Sequence, residues 1–259
     1  KKSNENIYCL GEIIHNEEVI KSLEKKGLIF INDINQAHGN IVIRAHGVPK
    51  EIYKIANEKN INVIDYTCPF VLKIHEEVSK YSKNGYFIFL LGIKKHPETI
   101  GTISFCGDNS FIIENLDDLD LAINKFNSSK LDKLLIISQT TFSIALFQNI
   151  VDAVINKIDS NINLEIKNTI CNTTSIRQNE TEELSKNVDL MIIIGGKHSS
   201  NTKKLYEIAE KNCSNYILIQ TVNNLENFDF SKVSKIGIMA GASTPQNIID
   251  DVVNFCKNL

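Results

Sequence analysis

Four histidines follow apolar runs and stand beside small or helix-starting residues: His15 in EIIHN, His46 in RAHGV, His96 in KHPET and His198 in KHSSN. Imidazoles gathered at one point make a donor-rich, partly cationic pocket, which suits an anion such as a diphosphate. A single histidine is more often a satisfied core or surface residue. His38 and His75, which lack that context, are read so. Ser199, Ser200 and Asn201 join an apolar run to a helical pattern, and Ser243 and Thr244 repeat the arrangement. Hydroxyls, an amide and the free N–H groups of a helix start form an anion cradle. Plain N-capping uses the same residue types. Gly195-Gly196 fits a close backbone approach but matches neither phosphate-loop nor dinucleotide-binding spacing, so a nucleotide is not indicated.

Cys68 in TCPF and Cys171 in ICNT each fall between an apolar run and a helical pattern. Helix N-terminal N–H groups favour a thiolate, and cysteines from separate strand ends can hold an iron–sulfur cluster. The alternative for each is a small buried hydrophobe, which is also the reading for Cys9, Cys106, Cys213 and Cys256. Glu98 stands two residues after His96. A carboxyl in a closed pocket with histidines can deliver protons; in the first turn of a helix it would also favour the dipole.

The elements that must position these residues alternate along the chain. Apolar runs predict strands at 41–43, 62–66, 86–91, 110–113, 134–137, 164–167, 190–194, 216–219 and 235–239, and Cys9 stands in a strand leading to LGEIIHN. Their unbroken apolar character implies parallel strands buried on both faces. Helical patterns lie at 16–26, with Asn16 as cap and Gly27 as stop, and at 49–60, 70–83, 116–126, 143–158, 173–187, 201–211 and 244–257. Alternation of this kind is the α/β class with parallel sheets. Three apolar runs enter a similar polar corner at His96, His198 and His46, and no Pro/Gly/Ser-rich linker divides the chain. The repetition implies three similar small α/β units, placed at 1–68, 69–168 and 169–259. In such sheets ligands bind beyond the carboxyl ends of the strands.

The 259 residues are 42% hydrophobic and 23% charged, with a formal charge of −3. This composition excludes a fibre, a coiled-coil rod and a disordered tail, and gives no basic field for nucleic acid. No apolar run approaches the ~18–20 residues of a membrane span. Six scattered cysteines without a CxxC pair predict a reducing compartment.

Eight segments, LGEIIHN, IRAHGVP, DYTCP, GIKKHPETIG, SQTTFS, NTICNTTSIRQ, IGGKHSSNT and AGASTP, run in order from residue 10 to residue 245. Together they resemble the LytB/IspH family of 4-hydroxy-3-methylbut-2-enyl diphosphate reductases. The resemblance implies three α/β units around a central cavity that holds a [4Fe-4S] cluster on three cysteines. It implies reductive loss of the substrate's hydroxyl as water, giving isopentenyl and dimethylallyl diphosphates, the last step of the methylerythritol phosphate pathway. By motif, Cys68 and Cys171 are two of the three cluster ligands. His15, His46, His96, Ser199, Ser200, Asn201 and Ser243 fall on diphosphate-binding positions. Glu98 falls on the proton-relay position with Thr140 beside it, and Gln139 is a neighbour without an assigned role. His198 stands where the family commonly has an amide and is not taken as a ligand.

The electron donor implied is a ferredoxin or flavodoxin. The family's first cluster cysteine lies in a glycine-rich segment upstream of the position matching Lys1; the chain opens on Lys, not Met, and the expectation is that this segment has been removed or omitted. The compartment expected is the cytoplasm, with a plastid or apicoplast as the alternative suggested by the Lys, Asn and Ile bias. Two other functions remain at this point: a cluster-free diphosphate-binding protein of the same fold, and a zinc site on Cys68, Cys171 and a histidine.

Overall fold

The computed structural model describes residues 6–14 and 16–259. Strands β1 (Ile7–Leu10), β2 (Leu28–Ile31), β3 (Asn40–Ile43) and β4 (Asn62–Asp65) form a sheet in the order β2-β1-β3-β4. Strands β5 (Phe87–Leu91), β6 (Ser110–Ile113), β7 (Lys133–Ser138) and β8 (Asn163–Lys167) form a second, β6-β5-β7-β8. Strands β9 (Leu190–Ile194), β10 (Tyr216–Ile219) and β11 (Ile236–Ala240) form a third, β10-β9-β11. All pairings among them are parallel, as the apolar runs imply. The repetition read in the sequence is a repetition of topology: in every sheet the first strand lies between the second and the third.

The described chain divides into two compact units. One contains the residues up to Ile13 together with Leu23–Ile170, and so the first two sheets; the other contains Ile14–Ser22 and Cys171–Leu259, with the third sheet. The helices are α1 (Glu17–Lys25), α2 (Lys50–Glu58), α3 (Pro69–Lys83), α4 (Pro97–Cys106), α5 (Leu119–Ser129), α6 (Ile144–Ile155), α7 (Asn172–Ser185), α8 (Ser200–Asn212) and α9 (Gln246–Lys257). Among the described residues no helix is long and apolar enough to cross a membrane.

The central strands show why the runs are apolar without alternation. All five residues of β5 are buried, and all five of β9. On one face of β5, Phe87 and Phe89 meet Phe126 of α5 with ring centroids 5.6 and 6.2 Å away. On the other, Ile88 and Leu90 pack with Ile74 and Val78 of α3. Each such side chain contributes roughly 1.5–3 kcal/mol on burial, so a one-sided pattern would forfeit half of the core. Cys9, Cys106 and Cys213 are buried as expected, Cys256 is half-buried, and all six cysteines are free thiols.

Some elements differ from the sequence reading. Strand β2 and helix α4 are absent from it. Helix α4, PETIGTISFC, is rich in β-branched and small residues of weak helix propensity, and its buried side includes Glu98, Thr99 and Thr102, which hides the usual apolar stripe. The helix expected from Leu116 begins instead as a 3-10 turn over Leu116–Asp118, where Asn115 Oδ1 accepts the Asp117 N–H at 2.9 Å, and α5 starts at Leu119. The helix expected from Thr244 starts at Gln246, because Pro245 disfavours helical backbone in the residue before it. Thr244 is used otherwise: its hydroxyl donates to the Ile194 carbonyl at 3.0 Å, tying the end of β11 to the end of β9.

Two glycines permit the close packing at that joint. A Cβ on Gly195 would lie 2.5 Å from Thr202 Oγ1, and one on Gly241 would collide with the same hydroxyl. Gly241→Ala is expected to cost ~1–3 kcal/mol by overpacking, with a fall of about 2–4 °C in melting temperature per kcal/mol for a chain of this size. Thermal unfolding checks this; an unchanged midpoint would show that Thr202 turns aside freely.

Candidate active site

The repeated strand order fixes where the polar residues come out. Chain leaving the first strand of each sheet carries 11–16, 92–98 and 195–201; chain leaving the third carries 44–48, 139–143 and 241–245. Strand order reverses between these two strands, which opens a crevice at their carboxyl ends. The fourth strands, β4 and β8, lead to Cys68 and Cys171. Thus the expected residues occupy equivalent joints of the sheets. His15 lies outside the described residues.

In the first unit, His46, His96, Glu98, Thr140 and Cys68 come from four such joints. The rings of His46 and His96 stand edge to face, centroids 5.2 Å apart. His96 is buried and caps α4: its Nδ1 accepts the Glu98 N–H at 3.2 Å. An accepting Nδ1 carries no proton, so the ring is held neutral with its N–H on Nε2. The Cys68 N–H donates to the Ala45 carbonyl at 2.9 Å, which pins the start of α3 beside His46.

Glu98 is 2% exposed. Its Oε1 accepts the Thr140 N–H and its Oε2 pairs with the Thr140 hydroxyl, both at 2.7 Å. Burial pushes the carboxyl from its ordinary 4.5 up to about 7, and the two Thr140 bonds pull in the opposite direction. Gln139, the neighbour without an assigned role, is a strut. Its Oε1 accepts from the Ile93 N–H (3.1 Å) and the Thr99 hydroxyl (3.3 Å), and its Nε2 donates to Thr141 (2.9 Å). It locks the turn before His96 to the turn carrying Thr140.

In the second unit, Ser199 is the N-cap of α8, its hydroxyl accepting the Thr202 N–H at 3.3 Å. The capping reading is therefore correct for Ser199, and its hydroxyl proton remains a donor. Ser200 and Asn201 follow in the first turn and are buried. Asn201 is 4% exposed, and among the described residues neither its Oδ1 nor its Nδ2 has a hydrogen-bond partner, nor has the buried Ser243 hydroxyl. Buried polar groups are ordinarily paired, so these atoms are the candidates for bonds to a bound molecule. His198 is exposed.

Sequence reasoning missed the cross-links that hold these groups. Asn16 caps α1 as expected, accepting from the Glu18 (3.1 Å) and Val19 (3.2 Å) N–H groups, but its Nδ2 also donates to the Ser243 carbonyl at 3.2 Å. A contact across 227 residues leaves no local signal. Thr99 and Thr202 are not singled out by the sequence, and Thr244, read there with Ser243 as part of an anion cradle, is tied to the Ile194 carbonyl instead.

Cys68 and Cys171 are both half-buried N-cap residues, of α3 and α7, and Cys171 Sγ accepts the Thr174 N–H at 3.4 Å. Free thiols on N-cap residues fit the role of thiolate ligands, although only Cys171 makes a side-chain cap bond. Among the described residues no three His, Cys, Asp or Glu side chains group closely enough to hold a metal ion, so each unit offers one thiol of this kind.

Comparison with known proteins agrees with this arrangement. Residues 1–257 match the family model described as LytB protein. The sequence is 41% identical over 261 residues to the 4-hydroxy-3-methylbut-2-enyl diphosphate reductase of Clostridioides difficile (strain 630), covering 100% of this chain and 91% of that protein. It is 42% identical to the enzyme of the same name from Alkaliphilus oremlandii (strain OhILAs), covering 100% and 90%. Among solved structures, the E-1-hydroxy-2-methyl-but-2-enyl-4-diphosphate reductase from Plasmodium falciparum superposes with a TM-score of 0.88 at 34% identity, over 98% of this chain and 79% of that one. The (E)-4-hydroxy-3-methyl-but-2-enyl diphosphate reductase described as the terminal enzyme of the non-mevalonate pathway gives 0.69 at 36%, over 100% and 90%. With a family model matched along nearly its whole length, the chain belongs to the LytB family.

Proposed function

We propose that this chain reduces 4-hydroxy-3-methylbut-2-enyl diphosphate to isopentenyl and dimethylallyl diphosphates, taking up two electrons and two protons and releasing the hydroxyl as water. The observation that carries the reading is the Glu98–Thr140 pair. A carboxyl tuned to about 7 by burial is half protonated at neutral pH. When neutral, Glu98 keeps both bonds by donating from Oε2 to Thr140 Oγ1, and the Thr140 hydroxyl proton is then free to pass to a leaving oxygen. The proton returns from solvent by the reverse exchange. The diphosphate is bound by the His96 Nε2–H, His46, the Ser199, Ser200 and Ser243 hydroxyls and the Asn201 amide, with His15 assigned by motif. Cys68 and Cys171 supply two thiolates for the [4Fe-4S] cluster, with the third from a cysteine upstream by family pattern. When bound, the cluster supplies the electrons and a Lewis-acidic iron. A ferredoxin or flavodoxin is the donor proposed. Six free thiols suit a reducing compartment, the cytoplasm or, alternatively, a plastid or apicoplast.

Glu98→Gln is expected to lower kcat about 10²–10⁴-fold while leaving substrate affinity within about twofold. Anaerobic turnover and titration of the reconstituted enzyme measure the two separately, and equal losses in both would remove Glu98 from the proton role.

The same residue predicts a pH dependence. Its folded-state value of about 7 lies above the ordinary 4.5, so the stability linked to the neutral carboxyl is fully present below pH 4.5 and is lost as pH rises through 7. Denaturant titrations at pH 4.5 and pH 8 should show a difference that shrinks in Glu98→Gln. Activity should also decline above pH 7 in the parent protein.

Asn201→Ala is expected to weaken substrate binding about tenfold to a hundredfold, as lost hydrogen bonds to a charged group of ~1.5–3 kcal/mol imply. Calorimetry reads this directly, and unchanged affinity would contradict the cradle. Cys68→Ser should lose bound iron and sulfide, seen in the visible spectrum and by metal analysis irrespective of turnover; full retention would remove Cys68 from the ligand set.

A further inference from the structure

The first unit holds a cleft of about 640 Å³ between α2, α3 and α4, a size that suits small molecules. None of the side chains assigned above lines it. Its wall is apolar, formed by Leu72 and by His75 stacked on Phe105, ring centroids 4.3 Å apart and 16° from parallel. His75 is 4% exposed, and its Nε2 has no hydrogen-bond partner. Burial pushes the ring down to about 4, so it is neutral at pH 7. The expectation that His75 is a satisfied core histidine therefore fails at one ring nitrogen, and leaving such an atom unpaired is costly.

Further along α3, Lys80 and Lys83 line the same cleft and make no ion pair among the described residues. Of the two carboxylates present, Asp65 already accepts from Tyr53 Oη and the Thr67 N–H, each at 2.8 Å. Glu76 stands one turn before Lys80 on the same helix face, which leaves Lys83, almost a further turn on, as the cation farther from it. We propose that this cleft binds a planar aromatic anion, with its ring against Leu72 and Phe105 and its anionic group at Lys80 and Lys83. The eight helical steps from His75 to Lys83 rise ~12 Å, a length that a bicyclic carboxylate covers with the lysine side chains reaching back.

Occupancy of the cleft bears on the catalytic edge. His75 lies two turns from Cys68, the cap of α3, and Phe105 two turns from Glu98 in α4. A Cβ on Gly47 would lie 2.9 Å from His75 Cε1, so the loop after His46 rests on the same ring. The ligand thus presses on the supports of three residues assigned to the reaction. This coupling rests on the reductase reading; binding in the cleft does not.

The test uses the full-chain holoenzyme, prepared without oxygen, and 2-naphthoate followed by its fluorescence. Saturable one-site binding is expected, about tenfold weaker in the Lys80→Ala/Lys83→Ala double variant. Both lysines are exposed, so the double variant should keep the parent's melting temperature. Absence of saturable binding, or affinity within about twofold of the parent in the double variant, overturns the site. In the parent but not the double variant, naphthoate should shift KM for the diphosphate substrate. Binding without that shift overturns the coupling alone, and binding to a protein that reduces no substrate counts against the reductase reading while leaving the site standing.

Discussion

The desolvation of one carboxyl constrains the chemistry of the first unit. Glu98 sits on the first turn of α4, 2% exposed, with both oxygens bonded to Thr140. Neither partner carries charge, so the ionised form is never fully compensated, and the side chain is held at the point where proton gain and loss are nearly balanced. A cation at this place would make a permanent carboxylate. A more open site would restore the ordinary acid. Much nearby structure serves this balance: Gln139 joins the two turns, Thr99 bonds Gln139, and His96 caps the helix that carries Glu98.

The same economy governs anion recognition. The second unit presents buried hydroxyls and an amide where a diphosphate site is assigned, and the first presents a histidine fixed in its neutral form. Buried cations would be expensive in the empty protein, whereas neutral dipoles cost less to bury and lose little order when a ligand arrives. Parallel sheets with the order second-first-third supply the scaffold for this without special loops. Each places two strand-to-helix joints at its reversal point, and the joints that carry His96 and Ser199 follow the fully buried strands β5 and β9.

Legibility in the sequence followed burial. Strands β5 and β9 are apolar throughout because both faces are covered, and they stood out at once. Helix α4 did not, because its buried side is polar and small for functional reasons: Glu98, Thr99, Gly101 and Thr102 face inward. The site residues were visible as types at strand ends, since His, Ser, Asn and Cys are unusual after long apolar runs. Their partners were not. The bond from Asn16 to the Ser243 carbonyl, the Gln139 strut and the Thr202 hydroxyl wedged at Gly195 and Gly241 depend on packing between distant segments. His75 was read as a satisfied core residue, because nothing local reveals that a buried ring nitrogen has been left without a partner.

Those orphaned atoms connect stability with function. Among the described residues Asn201, Ser243, His75, Thr67 and Thr202 each bury polar side-chain atoms unpaired, and each such group costs ~1–3 kcal/mol against a paired one. A fold of marginal net stability tolerates few of these. Asn201 and Ser243 stand at the joints assigned above to the diphosphate, Thr202 lies against Gly195 and Gly241, and His75 and Thr67 flank Gly47. A ligand that satisfies them binds the folded chain and not the unfolded one, so it returns the lost stability in proportion to its concentration over its dissociation constant. The sites that weaken the empty protein are the ones where binding does the most to hold it together.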